Sequence, residues 1–275
     1  MSQDPSNAAP DVRVLRDGPI LRVTLNRPDK RNALSRGMVR TLIDSLIDAV
    51  NGDEVRVIVL TAAGDHFCSG VDLTEANAPG PDGKPQKPRI GHLQRGMQYG
   101  AHYLIKVMFE LQLPIVAGVR GWAAGIGNSL ALASDHVIAA HGAKFWTPFV
   151  TKGFTPDSGS TWLLPRLVGL SRAKEMIMRG RPIEAAQAAS WGLINEVVED
   201  AGLDAAVDAV ASEYARAATF AVGYAKVLTH KALEAELDAA LRAEAMGEEL
   251  SLRGDDFKEG LKAFRERRDP NYQGR

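Results

Sequence analysis

Three closely spaced glycines, Gly121, Gly125 and Gly127, separate a short apolar run from an alanine- and leucine-rich segment. Residues 114–119 predict a buried strand, and residues 129–133 predict the opening of a helix. Glycines let the backbone approach a ligand where side chains would block it, and a helix N-terminus presents N–H groups that have no partner. The pattern predicts an anion or oxyanion site, although glycines that only pack a helix on a strand would give the same pattern.

A second strand, predicted at residues 55–61, also runs into a turn of small residues that contains Cys68 and Gly70. Two strand-to-helix turns that each aim one N–H at a common point provide what the developing enolate of a thioester needs. Cys68 is the only cysteine, and no histidine stands near it in a recognisable motif. We therefore interpret Cys68 as a small packing residue rather than as a nucleophile.

Composition limits the classes of function. A chain of 275 residues that is 45% hydrophobic can bury a full core and fits one large domain with an appendage. A formal net charge of −1 provides no basic field for nucleic acid, and one cysteine excludes an internal disulfide framework. No apolar run is long enough for a membrane span, and the first residues lack the pattern of a signal peptide. We predict a cytoplasmic protein with no nucleic-acid or membrane partner.

The elements that must position these turns show alternating and helical patterns. Residues 12–25 read as two paired strands, with a hairpin turn at Asp17-Gly18. A helix is predicted from about Ser35, its N-cap, to residue 50. Residues 76–91 contain four prolines and predict a long loop, either functional or an idle surface insertion.

Composition shifts to strong helix formers after residue 200, with apolar residues three and four positions apart. We divide the chain into a disordered tail at residues 1–11, a core at residues 12–200 and a helical C-terminal region at residues 201–275.

Four motifs together resemble the enoyl-CoA hydratase/isomerase (crotonase) family: NRPDKRNALS at 26–35, SGVDL at 69–73, GWAAGIGNSLALASD at 121–135 and PDSGSTWLLPRLVG at 156–169. They occur in the order of the family and cover roughly residues 12 to 270. The resemblance implies an α/β fold with a core spiral of ββα units. It also implies a helical C-terminal domain that forms homotrimers or hexamers.

The resemblance also assigns site residues. The backbone N–H groups of Val71 and Ile126 would form the oxyanion hole; most relatives carry glycine at position 126, but either residue supplies an N–H. Coenzyme A, bound as the thioester substrate with no separate cofactor or metal, would contact Lys30, Arg31, Ala33, Ser69, Gly70, Asp72 and Leu73. Phe264 and Arg267, on a last helix at residues 257–268, would reach the coenzyme A of a neighbouring subunit. Lys30, Arg31 and Arg267 can also be read as ordinary solvated charges.

Two positions differ from the family's hydratases, and both concern the groups that would catalyse hydration. Hydratases of the family use two glutamates around one water, and those positions hold Ser129 and Phe149 here. Neither side chain can accept a proton at neutral pH, so water addition lacks its usual base.

Asp157 is the acid that remains, in the turn before a predicted helix, where hydratases carry glycine. Asp-bearing branches of the family include enoyl-CoA isomerases and a hydrolytic aryl-CoA dehalogenase, and this segment most resembles isomerases of phenylacetate-type catabolism. The alternative is that Asp157 only caps the helix that begins near Ser158.

We expect an enoyl-CoA isomerase of fatty acid metabolism, in which Asp157 moves a proton and shifts a β,γ double bond to the α,β position. The alternatives are a hydratase in name only, a hydrolytic acyl- or aryl-CoA enzyme that pairs an Asp157 nucleophile with His102, and a non-catalytic acyl-CoA-binding protein. His102 can also lie unused on a polar helix face.

Overall fold

A computed structural model describes residues 9–72, 74 and 89–275. The strands are β1 (Val12–Asp17), β2 (Ile20–Leu25), β3 (Val57–Ala62), β4 (Ile115–Val119), β5 (Trp122–Ala124), β6 (His136–Ala140), β7 (Lys144–Trp146), β8 (Ile183–Glu184) and β9 (Glu196–Val198). The α-helices are α1 (Arg36–Asn51), α2 (His92–Gln98), α3 (Ala101–Glu110), α4 (Ile126–Leu132), α5 (Ser160–Arg179), α6 (Ala185–Ser190), α7 (Leu203–Arg216), α8 (Thr219–Ala232), α9 (Leu237–Ser251) and α10 (Asp255–Glu266).

The described strands form two sheets. The larger has the order β1-β2-β3-β4-β6-β9, in which the β1–β2 pair is antiparallel and the other pairs are parallel. The predicted hairpin is confirmed, since Asp17 pairs with Ile20 across a two-residue turn. The smaller sheet has the order β5-β7-β8.

Successive ββα units wind between the two sheets. In the unit β4-β5-α4 and again in the unit β6-β7-α5, the first strand joins the larger sheet and the second joins the smaller one. An earlier turn of the same spiral consists of β3 and residues 67–71, where Cys68 forms a parallel bridge with Ala123. Neighbouring turns of the spiral therefore place equivalent loops next to one another.

The helix predicted from Ser35 begins where the sequence indicates. The Ser35 side chain accepts a hydrogen bond from the N–H of Met38 at 3.1 Å, which satisfies one donor of the first turn of α1. Met38, Leu42 and Leu46 lie on the buried face of this helix, at helical spacing. They pack in a core cluster that also contains residues of β2, β3 and α3.

The first helix of the C-terminal region packs on the larger sheet. Leu203 and Val207 of α7 bury against Val57, Val116 and Ile138 on the sheet face opposite the main core. The predicted division at residue 200 stays a prediction, and residues 1–8 of the predicted tail lie outside the described residues. Among the described helices, none combines the length and the apolar character that a membrane crossing requires.

The residues after α10 fold back on the body of the protein. Arg56, directly before β3, donates from Nη1 to the carbonyl of Tyr272 at 3.1 Å and from Nη2 to the carbonyl of Ala217 at 2.8 Å. The Asp256 carboxylate accepts the N–H groups of Gln273 at 2.6 Å and Gly274 at 2.9 Å.

Two helix boundaries differ from the sequence-based expectation. The helix after the glycine-rich turn begins at Ile126 rather than at residue 129. All seven residues of α4 are buried, and this packing outweighs the weak helix propensity of Gly127 and Asn128. The last helix spans Asp255–Glu266 rather than residues 257–268, because the chain turns into the left-handed conformation at Arg267, where φ is +54°.

Candidate active site

The two turns that carry the predicted N–H donors lie side by side. The N–H of Cys68 donates to the carbonyl of Trp122 at 2.9 Å, and the N–H of Ala124 donates to the carbonyl of Cys68 at 2.8 Å. This pairing brings Gly70 next to Gly125, so that a Cβ atom on Gly125 would lie 3.8 Å from the Cα of Gly70. The spiral thus joins two turns that are more than fifty residues apart in sequence.

Val71 and Ile126 directly follow these two glycines. Within the described residues, neither backbone N–H donates a hydrogen bond. Ile126 opens α4, and the first N–H groups of a helix have no acceptor inside the helix. Two donors without acceptors at one junction suit a single oxygen ligand, and their role as an oxyanion hole stays a prediction.

Gly127 makes this close approach possible. A Cβ atom at this position would lie 2.5 Å from the carbonyl oxygen of Cys68 and 2.6 Å from its Cβ, closer than real atoms pack. Cys68 itself is fully buried, and this burial raises the pKa of its thiol to about 12. A thiol that stays protonated at neutral pH is a poor nucleophile, which supports the packing role predicted for Cys68.

The loop at residues 30–34 is fastened along the first turn. The N–H of Ser69 donates to the carbonyl of Arg31 at 3.0 Å, and the N–H of Leu34 donates to the carbonyl of Gly70 at 2.8 Å. The structure thereby brings together the following predicted coenzyme A residues: Lys30, Arg31, Ala33, Ser69, Gly70 and Asp72. Leu73, predicted with them, lies outside the described residues, as does residue range 76–88 of the predicted loop.

Asn32 organises this loop and was missed by sequence reasoning. Its side chain is buried, accepts the N–H of Arg27 at 2.7 Å and donates to the carbonyls of Ala63 at 2.9 Å and His66 at 2.7 Å. Asn32 has a φ of +53°, a left-handed conformation that asparagine adopts more readily than most residues. An asparagine among loop charges was the available signal, but its three partners become visible only in the fold.

Phe264 and Arg267 lie apart from this loop. Phe264 is 84% exposed, and the Arg267 side chain has no hydrogen bond or ion pair in the part of the chain that the structure describes. Among the described residues, neither side chain has a hydrogen bond or ion pair with the predicted coenzyme A loop. Their predicted role across a subunit interface stays a prediction.

Asp157 lies half-buried in the turn before α5. One carboxylate oxygen, Oδ1, accepts the hydroxyl of Ser158 at 2.7 Å, and the backbone carbonyl accepts the hydroxyl of Ser160 at 2.8 Å. The residue that caps α5 is Gly159, and no side chain bonds to the first turn of the helix. The alternative that Asp157 serves as the helix cap is therefore wrong, because its carboxylate is engaged elsewhere.

His102 approaches the same turn from α3. Its Nε2 accepts the backbone N–H of Ser158 at 3.3 Å, although the residue is otherwise exposed. In this contact Nε2 is the acceptor and the backbone N–H of Ser158 is the donor. The structure thus brings His102, an exposed residue of α3, within one residue of Asp157, and its role in a reaction stays a prediction.

The two positions where hydratases carry glutamate hold no acid in this fold. Ser129 is buried in α4, and its hydroxyl lies 3.3 Å from that of Ser160, which links α4 to the Asp157 turn. Phe149 is also buried and packs edge-on against Phe154, with ring centroids 5.7 Å apart. Neither residue offers a group that could take a proton from a water molecule.

A cavity of about 450 Å³ lies away from these residues. Its walls include Phe109, Trp162 and Leu233, and at its side Lys226 donates to Asp135 at 2.7 Å. Burial lowers the pKa of Lys226, and the Asp135 carboxylate opposes that shift. The cavity touches neither Asp157 nor the two N–H turns, so we do not assign it to the candidate site. In the described residues, no group of three or more potential ligands could hold a metal ion.

Comparison with known proteins gives consistent matches along the chain. A family model described as enoyl-CoA hydratase/isomerase matches residues 16–275. The 1,2-epoxyphenylacetyl-CoA isomerase of Escherichia coli K12 is 36% identical over 262 residues, which cover 93% of this chain and 95% of that protein. The carnitinyl-CoA dehydratase of Salmonella heidelberg is 32% identical over 272 residues, which cover 96% and 98%. A solved enoyl-CoA hydratase from Bacillus anthracis superposes with a TM-score of 0.88 at 30% identity and covers 97% of this chain and 100% of its own.

Proposed function

Because this chain belongs to the enoyl-CoA hydratase/isomerase family, we propose that it is an enoyl-CoA isomerase that moves a β,γ double bond into conjugation with the thioester. Its fold is the crotonase fold, and its relatives include an isomerase, a dehydratase and a hydratase. The choice among these reactions rests on which groups surround the two N–H turns.

The observation that carries the proposal is the attachment of Asp157 to the helix that begins at Ile126. Ser160 donates to the carbonyl of Asp157, and Ser129 meets Ser160 one helical turn after Ile126. The turn that carries the Asp157 carboxylate is thus joined to the helix whose first residue carries one of the two N–H donors, while the positions of the two hydratase glutamates hold no acid. One base and one oxyanion site are sufficient for a 1,3-proton shift, whereas hydration also needs a positioned water.

The proposed reaction has two proton transfers. Asp157 removes a proton from C2 of the thioester, and the resulting enolate oxygen accepts hydrogen bonds from the N–H groups of Val71 and Ile126. Each such donor typically lowers the barrier by about 3 kcal/mol. The carboxylic acid then returns the proton to C4, so that the C3–C4 double bond becomes a C2–C3 double bond and Asp157 is regenerated. The coenzyme A thioester is the substrate throughout, and the reaction needs no other cofactor.

The test is incubation with a panel of acyl-CoA thioesters in deuterated water, read by mass spectrometry. An isomerase shifts the double bond of a 3-enoyl-CoA, and deuterium enters C2 or C4 only to the extent that the Asp157 carboxylic acid exchanges with solvent before it returns the proton. Addition of water would identify a hydratase, and release of halide or of coenzyme A would identify a hydrolase. Binding of the thioesters with none of these reactions would favour a non-catalytic binding protein.

A hydrolytic enzyme is the second candidate, because His102 lies next to the Asp157 turn. Asp157 would attack the substrate, and His102 would activate water to cleave the resulting ester. In this structure Nε2 of His102 accepts the N–H of Ser158, so that hydrogen bond would have to break before Nε2 could take a proton from water. An adduct on Asp157 in His102→Ala protein, detected by mass after exposure to 4-chlorobenzoyl-CoA, would favour this candidate; isomerase activity retained within about tenfold would favour ours.

We further propose that the protein assembles as a homotrimer or hexamer. Large apolar side chains stay exposed on its last helices: Leu237, Leu241, Met246, Leu250, Leu261 and Phe264. Contiguous exposed apolar surface on a single chain is typical of an interface between subunits. Light scattering at micromolar concentration should give three or six times the mass of the chain. A monomer mass would remove this proposal and the role of Arg267 across the interface.

A further inference from the structure

Ser158 has an unusual backbone conformation for its residue type. Its φ is +51°, in the left-handed region that favours glycine, and the residue is only 2% exposed. Glycine follows it at position 159 with a φ of +80°, so two consecutive left-handed residues turn the chain into α5. A non-glycine residue in this region is strained and persists only where its surroundings hold it. The hydrogen bonds of Ser158 are the contacts that can hold it in this conformation.

Both hydrogen-bond donors of Ser158 have partners, one of them the candidate base. The hydroxyl donates to Oδ1 of Asp157 at 2.7 Å, and the backbone N–H donates to Nε2 of His102 at 3.3 Å. The first bond holds the carboxylate itself, and the second ties the serine to α3. Phe149 and Phe154, on the preceding segment, carry no donor that could hold this carboxylate in its place.

We propose that Ser158 is a positioning residue, which fixes the Asp157 carboxylate for proton transfer, and that His102 secures Ser158 in this role. The inference rests on the proposed isomerase function. A hydroxyl bound to Oδ1 leaves Oδ2, which has no hydrogen-bond partner among the described residues, as the oxygen that takes the proton. Proton transfer requires the base within hydrogen-bond reach of the substrate carbon, so a carboxylate free to rotate spends less time in the reactive geometry.

The Ser158→Gly variant separates positioning from structural support. Glycine adopts a positive φ without strain, so this variant should unfold at the same denaturant concentration as the wild type or at a higher one. It lacks the hydroxyl, so kcat for isomerisation of 3-hexenoyl-CoA should fall on the order of 10-fold to 10²-fold, while KM changes by less than about twofold. An unchanged kcat in this variant would overturn the proposal.

The Ser158→Thr variant should show the opposite pattern. Threonine keeps the hydroxyl but is β-branched, which makes the left-handed conformation more strained. We expect a lower unfolding midpoint together with a kcat closer to that of the wild type than to that of Ser158→Gly. A kcat as low as that of Ser158→Gly in folded Ser158→Thr protein would contradict positioning by the hydroxyl. If Ser158→Thr does not fold, the Ser158→Gly result decides alone.

Two further variants complete the experiment. Ser190→Gly removes an exposed serine at the end of α6, whose hydroxyl bonds only to the carbonyl of Gln187, and should leave kcat within about twofold. Asp157→Asn distinguishes a failure of the proposed isomerase function from a failure of the positioning role of Ser158. If Asp157→Asn retains activity, the proposed function itself fails. If Asp157→Asn loses activity and Ser158→Gly retains it, the proposed function stands and the positioning role of Ser158 fails.

Discussion

The two sides of the candidate site use different chemical groups: one side uses backbone N–H groups, and the other uses a side-chain carboxylate. The glycine-rich side, at Gly125 and Ile126, offers backbone N–H groups, and its side chains serve packing. The acid side, at Asp157, offers a side chain: the Ser158 hydroxyl donates to its carboxylate, the Ser160 hydroxyl donates to its backbone carbonyl, and the His102 imidazole accepts the N–H of Ser158. The first side tolerates changes of residue type as long as the backbone stays where it is. The second side depends on the identity of individual residues.

This difference explains how members of one fold can carry out different reactions. Backbone donors stabilise an enolate oxygen whatever happens next at the carbon atoms. The position and number of carboxylates then determine whether water is added or a proton is moved. Relatives of this chain that are named isomerase, dehydratase and hydratase fit such a division.

The largest expected effect concerns hydration. Because Ser129 and Phe149 stand where hydratases carry their two glutamates, hydration of crotonyl-CoA should be slower than that of an authentic hydratase by about 10⁴-fold, roughly 10² for each absent acid or base. The comparison is measured from the loss of enoyl thioester absorbance with both enzymes at equal concentration. Efficient hydration by the wild-type protein would show that a group other than the two absent glutamates activates water, and the proposal of an isomerase would then fail.

Asp157→Asn should give the next largest effect. The amide keeps the shape of the side chain and can still accept the Ser158 hydroxyl, but it cannot take a proton. We expect isomerisation of a 3-enoyl-CoA to fall by about 10³-fold or more, while the free energy of unfolding changes by less than about 1 kcal/mol. Steady-state kinetics and urea denaturation measure the two quantities. Retained activity would mean that a residue other than Asp157 is the base.

Val71→Pro tests the glycine-rich side by removing one N–H. The expected loss in kcat is about 10²-fold, the usual effect of deleting one oxyanion donor. Val71→Ala is the matched control, because it shortens a half-exposed side chain and keeps the N–H; its kcat should stay within about threefold. Equal losses of kcat in the two variants would mean that the Val71 side chain, and not its N–H, contributes to catalysis.

Gly127→Ala should have a smaller effect on catalysis and a larger one on stability. Its new Cβ would lie 2.5 Å from the Cys68 carbonyl, so α4 must move away from the neighbouring turn. We expect the free energy of unfolding to fall by about 2 kcal/mol and kcat to fall by about tenfold as the N–H of Ile126 shifts. A folded variant with full stability and activity would show that the two turns are not held together as tightly as their contacts indicate.

Alkylation directed at Cys68 should have no effect on the activity of the native protein. With its thiol pKa raised to about 12 by burial, only a small fraction is thiolate at pH 8. Treatment of the native protein with iodoacetamide at pH 8 should leave both mass and activity unchanged, and modification should appear once urea unfolds the chain. Rapid loss of activity in native protein would place a reactive side chain on the glycine-rich side.

Sequence patterns were sufficient for the elements whose causes are local. The Ser35 cap, the spacing of Met38 and Leu42 and the Asp17-Gly18 turn each predict an element that the structure contains. The start of α4 was placed three residues late, because burial rather than propensity determines it. Local chemistry thus indicates where a helix or hairpin forms, and packing adjusts its ends.

Only part of the candidate site could be predicted from sequence patterns. Gly121, Gly125 and Gly127 predict a close backbone approach, and the family resemblance indicated which N–H groups and which acid to consider. The partners of Asn32, and the contacts of Ser158 with Asp157 and His102, depend on left-handed backbone angles. Such angles at residues other than glycine leave almost no mark in a sequence, because they are imposed by the surrounding fold.

The contacts of Arg56 also determine when this protein can finish folding. Its guanidinium binds carbonyls of Ala217 and Tyr272, which lie 161 and 216 positions later in the chain. On the ribosome, the strand that follows Arg56 is therefore made long before the groups that satisfy this arginine emerge. The larger sheet can assemble during synthesis, whereas the closure of the C-terminal residues over Arg56 must wait until Tyr272 has left the ribosome.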